Sequence, residues 1–133
     1  MGKKILMSDD DRTNVLIIQK RLESSQFTVV TASDGDEGLG KVKTEKPDLI
    51  LLDVEMPRMN GYTFINELRK IEGCKSIPVI VLTAHAEHQP IFGLKGLKGY
   101  LVKPIKMDLL LEKVCTSLGL PPVAAPQGNP PPS

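Results

Sequence analysis

Four separate stretches of the sequence end in side chains that can bind a cation or carry out nucleophilic chemistry. In chain order these side chains are Asp9 with Asp10, Asp53, Thr83 and Lys103. Three carboxylates suit a small, hard cation that prefers oxygen ligands in an octahedron, so Mg²⁺ is the expected ion. A carboxylate beside such a cation is a candidate acceptor of a phosphoryl group, with a lysine balancing the phosphate charge and a hydroxyl donating to it.

The first of these stretches, "ILMSDDDR" at residues 5–12, places three aspartates directly after an apolar run. Like charges this close weaken a fold unless a cation, a helix terminus or solvent compensates them. We expect Asp9 and Asp10 to face the cation. Asp11 is better placed to begin the next helix, where an acidic side chain interacts favourably with the N-terminal dipole.

These side chains need a scaffold that brings them together, and the apolar pattern predicts one. Short apolar runs bounded by charge, Gly or Pro predict strands. Two of them, "LILL" and "VIVL", lack polar alternation, which is typical of parallel strands buried on both faces. The predicted strands cover 4–8, 28–32, 49–53, 78–82 and 99–102, and helical periodicity falls around 16–22, 38–43, 64–71 and 109–118.

The alternation of strands and helices predicts an α/β fold with a doubly wound, five-stranded parallel sheet and helices on both faces. Such sheets bind ligands at the carboxyl ends of their strands. The candidate side chains follow or end four of the five predicted strands, so we expect them to meet at one edge of the sheet.

Composition limits the classes of function. The chain has 133 residues, about one domain, and its 17 Lys and Arg against 16 Asp and Glu leave a formal charge of +1. This balance gives no global attraction to nucleic acid or anionic membranes. Cys74 and Cys115 are too few for a disulfide framework or a zinc site, and no apolar run approaches the length of a membrane span. We expect a soluble, cytoplasmic protein.

The chain divides at about residue 120. Residues 1–120 contain all of the predicted elements and form the expected domain. The segment 121–133 is rich in proline and lacks apolar periodicity, which predicts an extended, disordered tail or linker.

Four motifs together resemble the receiver domain of bacterial two-component response regulators. They are "ILMSDDDRTNV", "PDLILLDVEMPRMNG", "PVIVLTAHA" and "GYLVKPI", and they occur in the family's order over residues 3 to about 119. The resemblance implies a flavodoxin-like strand order of 2-1-3-4-5 with five helices. It also implies a signalling module that is not an enzyme beyond assisting its own aspartyl phosphorylation and dephosphorylation.

The resemblance assigns roles to individual residues. It implies that Asp53 takes a phosphoryl group from a phosphohistidine on a sensor histidine kinase or a histidine phosphotransfer protein. Asp10 would bind Mg²⁺ directly, Asp9 would act largely through water, and the backbone carbonyl of Glu55 would fill a further metal position. Lys103 would pair with the phosphate.

A switch between two states is implied as well. Thr83 and Ala84 match the family's hydroxyl residue and its small neighbour, Tyr100 matches an aromatic switch residue, and Pro104 matches a cis-peptide proline. The switched surface would act on a downstream protein target or on a fused output domain beyond the tail, without direct contact with nucleic acid and without membrane insertion. Tyr100 as a plain strand aromatic remains an alternative.

The sequence departs from the family pattern at three places. Ser8 replaces the usual aliphatic residue, and Asn60 replaces a common Asp. The segment 86–99 is about two residues short and contains Pro90 and three glycines, all unfavourable inside a helix. The fourth helix should therefore be short or irregular, as either a mobile switch segment or a rigid loop.

Two other functions compete with a phosphorylated receiver. A phosphorylation-independent pseudo-receiver is disfavoured by the intact Asp10, Asp53, Thr83 and Lys103. A haloacid-dehalogenase-type phosphohydrolase also combines Asp, Thr, Lys and Mg²⁺, but there the acidic pair follows the lysine and an Asp takes the place of Glu55. A metal site at His85 and His88 is also disfavoured. These histidines have no cysteine partner nearby and fit exposed loop residues better than metal ligands.

Overall fold

The strands of the computed structural model form one parallel sheet in the order β2-β1-β3-β4-β5. This order confirms the predicted doubly wound fold. The strands are β1 (Lys4–Ser8), β2 (Thr28–Ala32), β3 (Leu49–Asp53), β4 (Val79–Thr83) and β5 (Gly99–Val102). The structure describes residues 3–9, 11–53, 61–71, 73, 77–83 and 99–120.

Helices cover both faces of the sheet. In the described part of the chain they are α1 (Arg12–Ser24), α2 (Gly35–Glu45), α3 (Gly61–Leu68) and α4 (Met107–Ser117), the last of which corresponds to the predicted fifth helix. The fourth predicted helix falls in the segment 86–99, of which residues 86–98 lie outside the described part of the chain. None of the described helices is long and apolar enough to cross a membrane.

Alternate residues of the central strands enter two separate cores. Ile5 and Met7 of β1 pack with α1 and α4, whereas Leu6 between them packs with α2 and α3. Every residue of β3 and of β4 is buried, as the absence of polar alternation predicted. The sheet is therefore held from both sides, and its central strands are fixed relative to one another.

The parallel register carries the candidate side chains to one edge. Ser8 pairs with Leu52, and Thr83 pairs with Val102. Asp9 therefore follows β1 at the level where β3 ends, and Lys103 follows β5 directly beside the end of β4. The sheet edge predicted from the sequence is the edge on which these residues lie.

Strand β4 is shifted by one residue from the predicted 78–82, and each described helix differs from its predicted segment at both ends. Strand β4 begins at Val79 instead of residue 78, because Pro78 has no N–H for the ladder and contributes only its carbonyl, which accepts from Ile50 N–H at 3.0 Å. Helix α3 ends at Leu68 instead of residue 71. Ile71 still packs against the core from the following turn, which explains why the apolar period extends to it.

The start of α2 is fixed by reciprocal side-chain caps. Asp34 accepts from the backbone N–H of Glu37 at 2.8 Å, and the Glu37 carboxylate accepts from the backbone N–H and the hydroxyl of Ser33. The bonds from Ser33, and more weakly the charge of Lys41, lower the pKa of Glu37, although partial desolvation opposes the shift. The end of β2 is joined to the site separately, because the N–H of Asp9 donates to the carbonyl of Ala32 at 3.0 Å.

Helix α2 packs closely against β1 and α3 at Gly38. A Cβ atom added to Gly38 would lie 2.9 Å from a ring carbon of Phe64 and 3.1 Å from the Ser8 hydroxyl oxygen. The buried Ser8 hydroxyl also donates to the carbonyl of Asp34 at 3.4 Å. A larger aliphatic residue at position 8 would crowd this crossing, which gives a physical reason for the departure from the family pattern.

Helices α1 and α4 end in the same hydrogen-bonded motif with different residues at the left-handed position. After α1, the N–H of Phe27 donates to the carbonyl of Leu22, and Gln26 between them has a φ of 73°. After α4, the N–H of Leu120 donates to the carbonyl of Cys115, and Gly119 has a φ of 71°. A left-handed conformation costs a residue with a Cβ about 1 to 2 kcal/mol, whereas glycine adopts it freely.

We predict that Gln26→Gly raises the free energy of unfolding by about 0.5 to 1 kcal/mol, because the relief of backbone strain exceeds the added freedom of the unfolded chain. The matched reverse change, Gly119→Gln, should lower it by a similar amount. Urea denaturation followed by circular dichroism measures both. A loss of stability in Gln26→Gly would contradict this account of the α1 terminus.

Candidate phosphoacceptor site

Three charged side chains and one hydroxyl residue meet at the carboxyl edge of the sheet. Asp53 ends β3, Thr83 ends β4, and Asp9 and Lys103 directly follow β1 and β5. The residues Asp9 and Asp53 are each 2% exposed, and Thr83 is fully buried. The site is thus a small polar cluster at the top of an apolar sheet.

Lys103 lies between the two carboxylates. Its Nζ atom is 3.4 Å from Asp53 Oδ2 and 3.7 Å from Asp9 Oδ2. Carboxylates with so little solvent need a compensating charge, and the ammonium of Lys103 supplies it to both. One lysine against two carboxylates leaves a net negative charge among these three groups, which favours an additional cation.

The backbone around Lys103 is fixed independently of its charge. The N–H of Lys103 donates to the carbonyl of Thr83, with N and O 2.6 Å apart. The Lys103–Pro104 peptide bond is cis, as the resemblance implied for Pro104. The hydrogen bond from Lys103 to Thr83 joins the end of β5 to the end of β4.

The carboxylate of Asp9 is held on both oxygens. Oδ1 accepts from the backbone N–H of Asp11 at 2.9 Å, and Oδ2 accepts from the side-chain amide of Asn14 at 2.9 Å. Asp11 is the N-cap of α1, as predicted, and its own carboxylate accepts from the Asn14 backbone N–H at 3.2 Å. The sequence analysis missed Asn14; the signal was a polar side chain in the first helical turn, five residues after an aspartate.

Several predicted site residues lie outside the described part of the chain. They are Asp10, Glu55 and Ala84. The loop histidines His85 and His88, most of the 86–99 segment and the tail 121–133 lie outside the described part as well. The backbone of Tyr100 lies in β5, but its side chain is also outside the description. The roles expected for these residues remain predictions.

The described donor set is compatible with part of a Mg²⁺ site. Asp9 and Asp53 both present buried carboxylates at this edge of the sheet. Carboxylate oxygens are the ligands that Mg²⁺ prefers. Among residues 3–9, 11–53, 61–71, 73, 77–83 and 99–120 no cluster of three or more His, Cys, Asp or Glu is suited to a metal ion. Asp10 and the carbonyl of Glu55 would have to complete the coordination.

The arrangement is suited to accept an anionic group on Asp53. This carboxylate lies at the centre of the edge, beside a lysine, and the hydroxyl residue Thr83 ends the adjacent strand. A transferred phosphoryl group would find a cation for its oxygens and a hydroxyl donor at the next strand. A carboxylate, a cation and a hydroxyl residue of the kind that can form and stabilise an acyl phosphate thus lie together at this edge.

Comparison with protein families identifies the family of this chain. The model of the response regulator receiver domain matches residues 5–115. Among curated proteins, the alkaline phosphatase synthesis transcriptional regulatory protein PhoP of Bacillus subtilis is 40% identical over 131 residues, which cover 97% of this chain and 54% of PhoP. Response regulator PleD of Caulobacter vibrioides is 36% identical over 116 residues, which cover 86% of this chain and 26% of PleD. The chain thus spans about half or less of these relatives.

Solved structures agree with the fold. The chemotaxis response regulator CheY4 of Vibrio cholerae superimposes with a TM-score of 0.83 at 31% identity, covering 89% of this chain and all of that one. The receiver domain of sensor histidine kinase PA1611 from Pseudomonas aeruginosa PAO1 superimposes with a TM-score of 0.82 at 29% identity. The match covers 90% of this chain and 99% of that one. The latter structure has a magnesium ion coordinated in its active site cleft.

We predict that Asp53→Asn raises the free energy of unfolding by about 1 kcal/mol in EDTA, because it removes one of two buried carboxylates that share a single lysine. The same chemical change at an exposed site, Asp108→Asn, should change stability by less than about 0.5 kcal/mol. Urea denaturation of the three proteins measures the difference. An Asp53→Asn variant less stable than the parent would contradict the inference that Lys103 compensates the two carboxylates incompletely.

Proposed function

The chain belongs to the response regulator receiver domain family, and on that premise we propose that it is a phosphoacceptor module that is phosphorylated on Asp53. The observation that carries this proposal is the position of Asp53. It is the buried terminal residue of a central strand, with the Lys103 ammonium 3.4 Å from its carboxylate and a second carboxylate, Asp9, on the same lysine.

The phosphoryl donor would be a phosphohistidine on a sensor histidine kinase or a histidine phosphotransfer protein. A carboxylate oxygen of Asp53 forms a bond to phosphorus, while the bond from phosphorus to the imidazole nitrogen breaks and its electron pair stays on the ring. Lys103 pairs with an oxygen of the transferred group, and the Thr83 hydroxyl donates to another. The charge that the phosphoryl group brings is balanced by groups already present at this edge.

Asp9, Asp10, Asp53 and the carbonyl of Glu55 would hold Mg²⁺ in this site. When bound, the ion supplies positive charge that screens the carboxylates from the incoming phosphoryl oxygens. The buried pair of Asp9 and Asp53 is the described support for this assignment, and the magnesium ion in the PA1611 receiver domain is a precedent in a similar structure.

Phosphorylation would act as a switch of a protein-binding surface. Thr83 would move toward the phosphoryl oxygens, and Ala84, Tyr100 and Pro104 would respond to this movement. The output is a downstream protein target or a fused output domain, and the proposed location is the cytoplasm. The transcriptional regulators among the relatives are about twice the length of the matched region, which agrees with a receiver joined to other domains.

We predict that acetyl phosphate with Mg²⁺ adds one phosphoryl group to the protein, measured by intact mass. The label should be absent in Asp53→Asn and after chelation of Mg²⁺ by EDTA, because acceptor and metal are both required. Asp48→Asn is the matched control: Asp48 is exposed and lies just before β3, at the other end of the strand, so this variant should be labelled like the parent.

Equal labelling of Asp53→Asn and the parent would contradict the assignment of the acceptor. A parent that remains unlabelled by acetyl phosphate and by phosphohistidine donors would instead support the pseudo-receiver alternative, in which the domain binds partners without phosphorylation.

A further inference from the structure

The side chain of Asn14 contacts a residue of the site without reaching its centre. Its amide nitrogen is 2.9 Å from Asp9 Oδ2, the oxygen that also lies 3.7 Å from Lys103 Nζ. The side chain of Asp9 has no exposed surface, so solvent does not compete for this oxygen. A neutral donor and a charged donor therefore face one buried acceptor atom.

We propose that Asn14 is a positioning residue, which holds Asp9 Oδ2 away from Lys103 and so keeps the lysine available to Asp53. This inference rests on the proposed phosphoacceptor function. It assigns Asn14 no contact with the phosphoryl group; the residue acts through Asp9 and through the position of the Lys103 ammonium.

The distances support a competition for the lysine. Coulomb attraction changes little between 3.4 Å and 3.7 Å, so charge alone does not decide whether Lys103 pairs with Asp53 or with Asp9. Both separations exceed that of a charge-assisted hydrogen bond, whereas the Asn14 amide is at hydrogen-bond distance from Asp9 Oδ2. The direct hydrogen-bond donor to Asp9 Oδ2 is therefore the Asn14 amide and not the Lys103 ammonium.

An amide is suited to this task because it carries no charge. A lysine or arginine at position 14 would also bind Asp9, but it would neutralise the negative charge that attracts Mg²⁺. Asn14 orients the carboxylate and leaves the net charge of the site unchanged. Without this donor, Lys103 would pair more closely with Asp9, and the metal would have to displace a stronger ion pair.

The side chain of Asn14 is separable from the start of α1. The N-cap bond to Asp11 uses the backbone N–H of Asn14, which any residue other than proline retains. Asn14→Leu keeps a similar side-chain size and removes the amide donors, and leucine favours a helix more than asparagine does. A purely structural role of the side chain would thus leave metal affinity unchanged in this variant.

The experiment measures the Mg²⁺ dissociation constant by isothermal titration calorimetry, which does not depend on phosphorylation. We expect Asn14→Leu to weaken Mg²⁺ binding about 10-fold, as is usual for groups that orient metal ligands. Thr13→Ala, an exposed change in the same helical turn, should bind within about twofold of the parent. Thermal melting in EDTA confirms that each variant is folded.

A double-mutant cycle with Lys103→Met identifies the mechanism. If Asn14 acts by restraining Lys103, then Asn14→Leu should change Mg²⁺ affinity by less than about twofold in the Lys103→Met background. An equal loss in both backgrounds would overturn the proposal, and so would an unchanged affinity of Asn14→Leu in the presence of Lys103. A parent that binds no Mg²⁺ would overturn the proposed function together with this inference.

Discussion

The ammonium of Lys103 between Asp53 and Asp9 is the interaction on which the site depends. Two carboxylates with almost no solvent exposure are unfavourable at the end of an apolar sheet unless a cation compensates them. Lys103 compensates the two negative charges incompletely, because its single ammonium lies 3.4 Å from Asp53 and 3.7 Å from Asp9. In the resting site the lysine is therefore shared between two carboxylates.

The doubly wound sheet makes this balance possible. Residues of β1, β3 and β4 alternate between a core with α1 and α4 and a core with α2 and α3, so the strands are fixed from both faces. Rigid strand ends hold the site residues at defined distances, which is the condition for a site that responds to one added charge. The bond from Lys103 N–H to the Thr83 carbonyl extends this rigidity across the last two strands.

Much of this architecture is predictable from the sequence, since apolar runs determine where strands form. Four of the five predicted strands have the observed bounds. The strand predicted at 78–82 is observed one residue later, at Val79–Thr83, and its start is shifted because Pro78 lacks an N–H. The helix cap at Asp11 follows from local chemistry. The bond from Asn14 to Asp9 and the close crossing at Gly38 do not, because both depend on how α1 and α2 pack on the sheet. Strand pattern thus gives the edge and its acidic and basic residues, but not the orientation of each carboxylate.

The most direct test of this account is a crystal structure of the protein with Mg²⁺ and beryllofluoride, a phosphoryl mimic. The account predicts the mimic on a carboxylate oxygen of Asp53, with Lys103 Nζ moved from Asp9 Oδ2 to a fluorine atom and Asn14 still bonded to Asp9. A mimic on Asp53 with Lys103 still between the two carboxylates, or a mimic bound at another residue, would contradict the central role given to the shared lysine.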